Sequence, residues 1–506
     1  MNALLVYPRY PVTFMSFTYA LSFVHKKAAL PPMGLLTVAA MLPPEWSKKV
    51  VDLNVEPLTS AQLDWADVVF VSAMIVQKES ALEVISRCRA KGLRVVAGGP
   101  LFTHLYQQIG GVDHFVVGEA EGVLPIFLED LERGTAKPVY LAEGHPDLAL
   151  TPTPSWELID FRHYHSMSIQ FSRGCPFDCD FCDIVQLFGR PPRFKKPAHV
   201  IAELEVLYRL GWRKDIMMVD DNFICNKTKT KNLLHEIIAW QRQRGMPFNF
   251  NTQASVNLAQ EPDLLWLMAE ANFDSVFLGI ETPALESLKE CNKRQNQVDL
   301  LNAVRTIQSH GLVVSGGFII GFDSDPPSIF DDQVSFIEQA GIPTAMVGLL
   351  SVGPGTRLFS RLKAQGRLLG LPSGDNAMDL NALNFITKMS RKNLIAGYKS
   401  VLGRLYEPGA YYRRVISFLD RYKKARQGTK LPCRPLARRE LAAAVRIFWR
   451  LGFREYGRRA FWAFLLKVGL TRPARFPLAI SFAALGYHFR RMTDMFIKDQ
   501  GALQEA

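Results

Sequence analysis

Along the first 140 residues, short runs of Val, Leu, Ala and Phe alternate with stretches of helical periodicity. ALLVYP, KVVDLN, DWADVVFVSAMIV, LRVVAGGP and HFVVGE read as five buried strands, most of them closed by Pro, Gly, Asn or Ser. PMGLLTVAAML reads as a helix that begins after Pro31-Pro32. Strands alternating with helices predict an open, doubly wound (Rossmann-like) α/β sheet over residues 1–140, with ligand loops at the carboxyl ends of its strands.

The periodicity fades over residues 141–164, where Pro146, Pro152 and Pro154 stiffen the backbone and predict a linker. It restarts at Ser166. MSIQFSRG, DIMMVDDNF, PFNFNTQAS, SVFLGIET, GLVVSGGFIIGF and TAMVGLLSV read as six parallel strands, the last ending near Gly353. They predict a partial (β/α)6 barrel over residues 165–383, whose chemistry belongs at the carboxyl ends of the strands. From residue 384 to 506 the chain turns helical, basic and aromatic, as in VRIFWRLGFREYGRRAFWAFLLKVGL.

Charge sharpens this division. Residues 401–506 hold 22 Lys and Arg against 7 Asp and Glu, whereas the first 400 hold 38 against 41. All the excess positive charge of a +12 chain therefore lies in the tail, and a nucleic-acid-binding body has no support. The opening MNALLVYPRY lacks the make-up of a signal peptide, and FPLAISFAALGYHF is too short to span a bilayer, so a cytoplasmic protein is expected. Seven cysteines, four of them (Cys88, Cys225, Cys291, Cys433) without regular spacing, speak for free thiols rather than a disulfide framework.

The other three stand together in QFSRGCPFDCDFCDIVQLFGR, as Cys175, Cys179 and Cys182. A structural zinc site would need a fourth ligand, for which His163 or His165 is at hand, but no second C-x2-C exists. The stronger reading is an iron–sulfur cubane with one iron left open for a substrate or cofactor.

The spacing C-x3-C-x2-C after a first barrel strand, with Phe181 just before the last cysteine, resembles the radical S-adenosylmethionine (radical SAM) enzymes. That resemblance implies a [4Fe–4S] cluster on Cys175, Cys179 and Cys182. It implies S-adenosylmethionine contacts from Asp220, Asp221, Asn222, Gln253, Ser255 and Glu281, at the ends of later strands. Arg173 and Arg190 flank the loop, and surface salt bridging is the expected role for each.

A doubly wound domain ahead of such a barrel resembles the cobalamin-dependent branch of the family. It implies cobalamin near Ser72, Gly98, Gly99, Gly118 and Glu119. The Asp-x-His-x-x-Gly motif that supplies a cobalt ligand is absent from DLNVEPLT. The opening of the chain and FCDIVQLFGRPPRFKKP are similar to a bacterial subgroup with a helical extension that includes the hopanoid C-2 methylase.

The resemblance thus implies methylation of an unactivated carbon of a small-molecule or lipid substrate. Flavodoxin or ferredoxin would be the reductant. Arg and Lys beside Trp and Phe in the tail suit either a peripheral contact with the inner face of a membrane or a helical cap with a solvated basic face. The alternatives are a cobalamin-assisted rearrangement or cyclisation without methyl transfer, and a non-catalytic zinc- or cluster-stabilised binding protein at a membrane.

Overall fold

The computed structural model describes residues 1–422 and 438–499; Cys433 lies outside them. Strands β1 (Asn2–Tyr7), β2 (Ser47–Asp52), β3 (Val68–Ser72), β4 (Arg94–Gly98), β5 (His114–Val117) and β6 (Val139–Leu141) form one parallel sheet in the order β2-β1-β3-β4-β5-β6. Successive side chains point to opposite faces, and both faces are covered by helices. Leu4, Val6, Val69 and Val71 therefore enter one core, and Ala3, Leu5, Val68 and Phe70 the other. The order reverses between β1 and β3, which opens a crevice at the carboxyl end of the sheet. Five of the six strands match the pattern read from the chain; the sixth, β6, is a short edge strand just before the proline-rich segment.

That segment is irregular yet anchored. Trp156 is fully buried, and the buried Tyr164 donates a hydrogen bond to Asp52 at the end of β2 (3.0 Å).

The second half of the chain begins with β7 (Met167–Ile169), β8 (Ser172–Arg173) and β9 (Arg193–Phe194). It continues with β10 (Asp215–Met218), β11 (Asn249–Ala254), β12 (Phe273–Glu281), β13 (Val313–Ile320) and β14 (Thr344–Leu349). Six of these form a parallel sheet in the order β14-β13-β12-β11-β10-β7, the expected open barrel. MSIQFSRG is not one strand, however. After Ile169 the chain leaves the sheet because the Phe171 and Ser172 amides donate to the Asp220 carboxylate (3.2 and 2.5 Å). Ser172 and Arg173 then pair antiparallel with Phe194 and Arg193, so the three-cysteine loop hangs from a two-stranded clasp.

Alternation along β10–β13 leaves Met217, Asn251, Gln253, Ser275, Phe277, Ser315 and Gly317 on the less buried face, and packs Ile216, Phe250, Val276 and Val314 under the helices. Beyond the barrel come the helices Arg391–Tyr406, Pro408–Arg421, Arg438–Trp449, Arg458–Thr471 and Phe476–Asp499. The last packs against the segment after β1: His488 reaches the Phe14 carbonyl (3.0 Å), and Phe14 stacks on Phe489. Among the described residues no helix is long and apolar enough to cross a membrane.

Candidate active site

The loop from Gly174 to Gly189 is fixed at both ends. Gly174 adopts φ +93°, and a Cβ there would lie 2.8 Å from the Gly189 carbonyl, so only glycine lets the two ends of the loop meet. Within the loop the Asp180 amide donates to the Cys291 carbonyl (3.0 Å), and Asn292 holds the Asp178 carbonyl (2.8 Å). Arg357 and Arg361 pair with Asp180 (3.2 and 3.4 Å).

Cys179 is buried, while Cys175 and Cys182 are half-buried. Burial pushes all three thiols up, Cys182 to about 12, so metal binding must displace protons from them. Among the described residues no three His, Cys, Asp or Glu side chains converge on a single ion. A cubane places each thiolate on a different iron, and three soft sulfurs on one braced loop are a donor set that fits it.

Lys293 was not legible as a site residue. Its ammonium pairs with Glu281 and lies 5.6 Å from the centre of the Phe181 ring. Burial alone would favour its neutral form, but Glu281 and the sulfurs of Cys179 and Cys182 keep it firmly charged. Gln295 donates to the Cys179 sulfur (3.5 Å). Both residues lie in CNKRQN, which has no recognisable spacing.

The strand-end residues separate into two groups. The Asp220 carboxylate is fully buried and accepts from the Phe171 and Ser172 amides and the Ser172 hydroxyl, so it shapes the loop and has no free oxygen for a ligand's amino group. Glu281, at φ +66° on an irregular step of β12, spends its carboxylate on Lys293. Asp221 is half-buried and accepts from the Gly174 amide (2.8 Å). Asn222 and Ser255 hold one another (3.1 and 3.2 Å), and Ser255 also donates to Asn257 (2.5 Å). Gln253 projects from β11 on the same face as Asn251.

Burial drives Asp220 up to about 7 from its usual 3.8, against the donors that favour its charged form. Between those values the folded chain holds a proton that the unfolded chain has released. The Asp220 contribution to stability is therefore expected to fall as pH rises from about 4 to about 7. Urea midpoints at several pH values should show this decline, and Asp220→Asn should flatten it.

In the first domain Ser72, Gly98, Gly99 and Gly118 line one cavity, with Leu35, Val38 and Leu124 opposite; it encloses about 390 Å³, open solvent at its mouth included. Gly99 sits at φ 88°, ψ −179°, a region essentially confined to glycine, and a Cβ would come 2.6 Å from the Ser72 hydroxyl. With no side chain at Gly98 and Gly99, that wall of the cavity is backbone. Gly99→Ala is expected to cost about 1–3 kcal/mol of stability, which thermal melts would read.

Asn54 occupies the third position of the segment that lacks a histidine. It donates to Asp52 (2.7 Å) and accepts from the Tyr10 amide (2.8 Å), so its side chain is committed to the loop.

Glu119 does not line the cavity. Its carboxylate, 3% exposed, accepts from Arg173 (2.8 Å) and Arg193 (2.7 Å) and lies 3.0 Å from His145. Arg173 also pairs with Glu121 (2.7 Å) and is largely shielded from solvent, which replaces the expected surface role. Arg190 keeps that role, exposed beside Asp178 (3.7 Å). The network ties the loop after β5 to β8 and β9, two residues before Cys175 on one side and four residues after Gly189 on the other. A second link joins His104, on the helix that follows Gly99, to Asp183, next to Cys182 (3.6 Å).

Comparison with known proteins agrees with this layout. Residues 24–128 match the B12 binding domain, 169–337 the radical SAM superfamily, and 356–501 a domain of unknown function, DUF4070. An uncharacterized methyltransferase of Synechocystis sp. is 42% identical and covers 99% of this chain and 94% of its own. The hopanoid C-2 methylase of Rhodopseudomonas palustris is 34% identical over 92% of this chain and 88% of its own. Among solved structures, the cobalamin-dependent radical enzyme OxsB with aqua-cobalamin bound has a similar fold (TM-score 0.62, 15% identity, 99% of this chain and 80% of that one). With the cubane-type donor loop, the glycine-lined cavity and relatives of full length, the chain belongs to the cobalamin-dependent radical SAM methyltransferases, enzymes that use S-adenosylmethionine, a [4Fe–4S] cluster and cobalamin.

Proposed function

We propose that this enzyme methylates an unactivated carbon of a hydrophobic small molecule, a lipid of the hopanoid kind. The observation that carries the reading is the buried bridge from Glu119 and Glu121 to Arg173 and Arg193, which joins the cobalamin-side loop to the strand leading into the cysteines. The name of the Rhodopseudomonas palustris relative supports the substrate class.

In this reading residues 1–140 hold cobalamin, 165–383 hold the cluster and S-adenosylmethionine, 141–164 connect them, and 384–506 form the helical extension. Cys175, Cys179 and Cys182 bind the cluster. Ser72, Gly98, Gly99 and Gly118 face cobalamin. Asp221, Asn222, Gln253 and Ser255 face S-adenosylmethionine. Bound, the cofactors supply hydrogen-atom removal and methyl delivery; the protein binds, orients and shields them. Lys293 offsets negative charge at the thiolates, and Glu281 holds that ammonium in place. Glu119 and Asp220 position the loop rather than touch a cofactor. Flavodoxin or ferredoxin in a reducing cytoplasm would provide the electron, and the tail would lie against the inner membrane face.

The test is anaerobic reconstitution with hydroxocobalamin, dithionite and S-adenosylmethionine, supplying a detergent-dispersed hopanoid. A product one methyl heavier, formed together with 5′-deoxyadenosine, is expected. 5′-Deoxyadenosine without any methylated lipid would remove the substrate assignment while leaving the cofactor chemistry in place.

A further inference from the structure

The helical extension carries an apolar surface that the rest of the described chain leaves uncovered. On the helix Arg438–Trp449 and the wider π turn after it (Arg450–Arg454), Leu441, Val445, Trp449 and Phe453 recur every fourth residue, each between 55% and 59% exposed. On the helix Arg458–Thr471, Trp462, Leu466 and Leu470 repeat the same spacing, at 42%, 65% and 76%. Their opposite faces are core: Ile447, Leu451, Phe461, Phe464 and Val468 are buried. The two stripes meet at a corner where the Phe453 ring lies 5.5 Å from Trp449 and 5.9 Å from Trp462.

The charge beside the corner is mostly positive. Residues 438–499 hold 13 Lys and Arg against 4 Asp and Glu. Arg454, Arg458, Arg459 and Lys467 are exposed along the turn and the second helix, and Arg454 packs over the Trp449 ring (5.6 Å). Glu455 faces inward, neutralised by Arg450 and Arg490 (3.0 and 2.8 Å).

We propose that this corner docks the enzyme on an anionic lipid bilayer, with the apolar stripes in the acyl boundary and the arginines and Lys467 at the headgroups. An interfacial helix needs this combination of an apolar face bordered by cations. No described helix can cross the membrane, so the contact is peripheral. A second copy of the chain is the poorer occupant, because a two-fold contact would set this cationic border against itself in the low-dielectric rim. The proposal deepens the lipid-substrate reading and rests on it for its purpose: a docked enzyme meets a substrate that resides in the bilayer.

The experiment is co-sedimentation of the reconstituted full-length enzyme with phosphatidylcholine vesicles, with and without phosphatidylglycerol. Binding at least about tenfold stronger to the anionic vesicles, weakened by high salt and accompanied by a blue shift of tryptophan emission, is expected. Trp449→Ser with Phe453→Ser should lose most of this binding, and so, separately, should Arg454→Glu with Arg458→Glu. Both variants should keep wild-type 5′-deoxyadenosine formation in detergent.

Equal binding to both kinds of vesicle, binding to neither, or full binding by the variants would overturn the proposal. So would a dimer in sedimentation that the Trp449/Phe453 variant dissociates. Should vesicles bind as expected while no lipid is methylated, the substrate reading fails and the docking face stands.

Discussion

Cys179→Ala is expected to lower 5′-deoxyadenosine formation by more than about 10³-fold, about 4 kcal/mol or more of lost catalysis, in a chain that still folds. Cys179 is the middle cysteine of the loop and the most buried of its three, with Gln295 donating to its sulfur and Lys293 balancing its charge. Alanine removes the soft donor but leaves the backbone bonds of the loop, from Asp180 to Cys291 and from Cys182 to Cys179, in place.

Cys291→Ala and Cys225→Ala are the controls. Cys291 lies beside the loop with its thiol turned to the Leu288 carbonyl (3.6 Å), and Cys225 lies 3.8 Å from the Ser172 hydroxyl. Both variants should assemble about four iron and four sulfide per chain and retain cleavage. Iron and sulfide analysis with product chromatography reads all three. A Cys179→Ala protein with a full, competent cluster would transfer the ligand role to one of the two controls.

Arg173→Ala is expected to destabilise the protein by about 3–5 kcal/mol, the cost of leaving a buried ion pair half-made. The guanidinium is 11% exposed and spans Glu119, Glu121 and the Gln170 side chain (2.8, 2.7 and 2.7 Å). Burial alone would raise the Glu121 carboxyl, but Arg173 outweighs it and holds the group below its usual range. A depressed carboxylate contributes stability above its unfolded value and loses it as pH falls through the folded one. The gap between wild type and variant should therefore be widest near neutral pH and shrink below about pH 4.5, the usual glutamate value. Urea melts at several pH values measure this. Arg173→Lys, which offers a point charge where the structure uses a fork, should recover only part of it. A variant within about 0.5 kcal/mol of wild type would show that the bridge does not hold the two domains in register. Loss of cobalamin affinity without loss of cluster would mark the bridge as the link between the two cofactor regions.

Much of the layout was legible because it rests on local rules. Apolar runs such as ALLVY, buried on both faces, mark parallel strands under helices, and the six barrel strands lie in sequential order, each joined to the next through a helix. The three cysteines stand out by their spacing, and the four positions that the family resemblance singled out, Ser72, Gly98, Gly99 and Gly118, line one cavity because strand ends in a doubly wound sheet converge. The roles of Asp220, Glu119 and Glu281 were not. An acidic residue at a strand end has the same pattern whether it meets a ligand or a neighbour's amide, and only the fold puts Ser172 against Asp220, Lys293 against Glu281, and two arginines against Glu119.

The sequence by itself determined the order of domains, the strand and helix periodicities, the thiol-bearing loop and the basic, aromatic tail. These depend on residues within a few positions of each other, where chain geometry sets the spacing. The tertiary structure alone decided that MSIQFSRG breaks after Ile169, because Asp220, remote in sequence, captures the next amides. It also decided that Arg173 is an internal bridge rather than a surface charge, since its two carboxylate partners lie more than 50 positions away. And it decided which flank of the tail is core and which is bare: periodicity defines two faces of a helix, but burial against the helices Pro408–Arg421 and Phe476–Asp499 chooses between them.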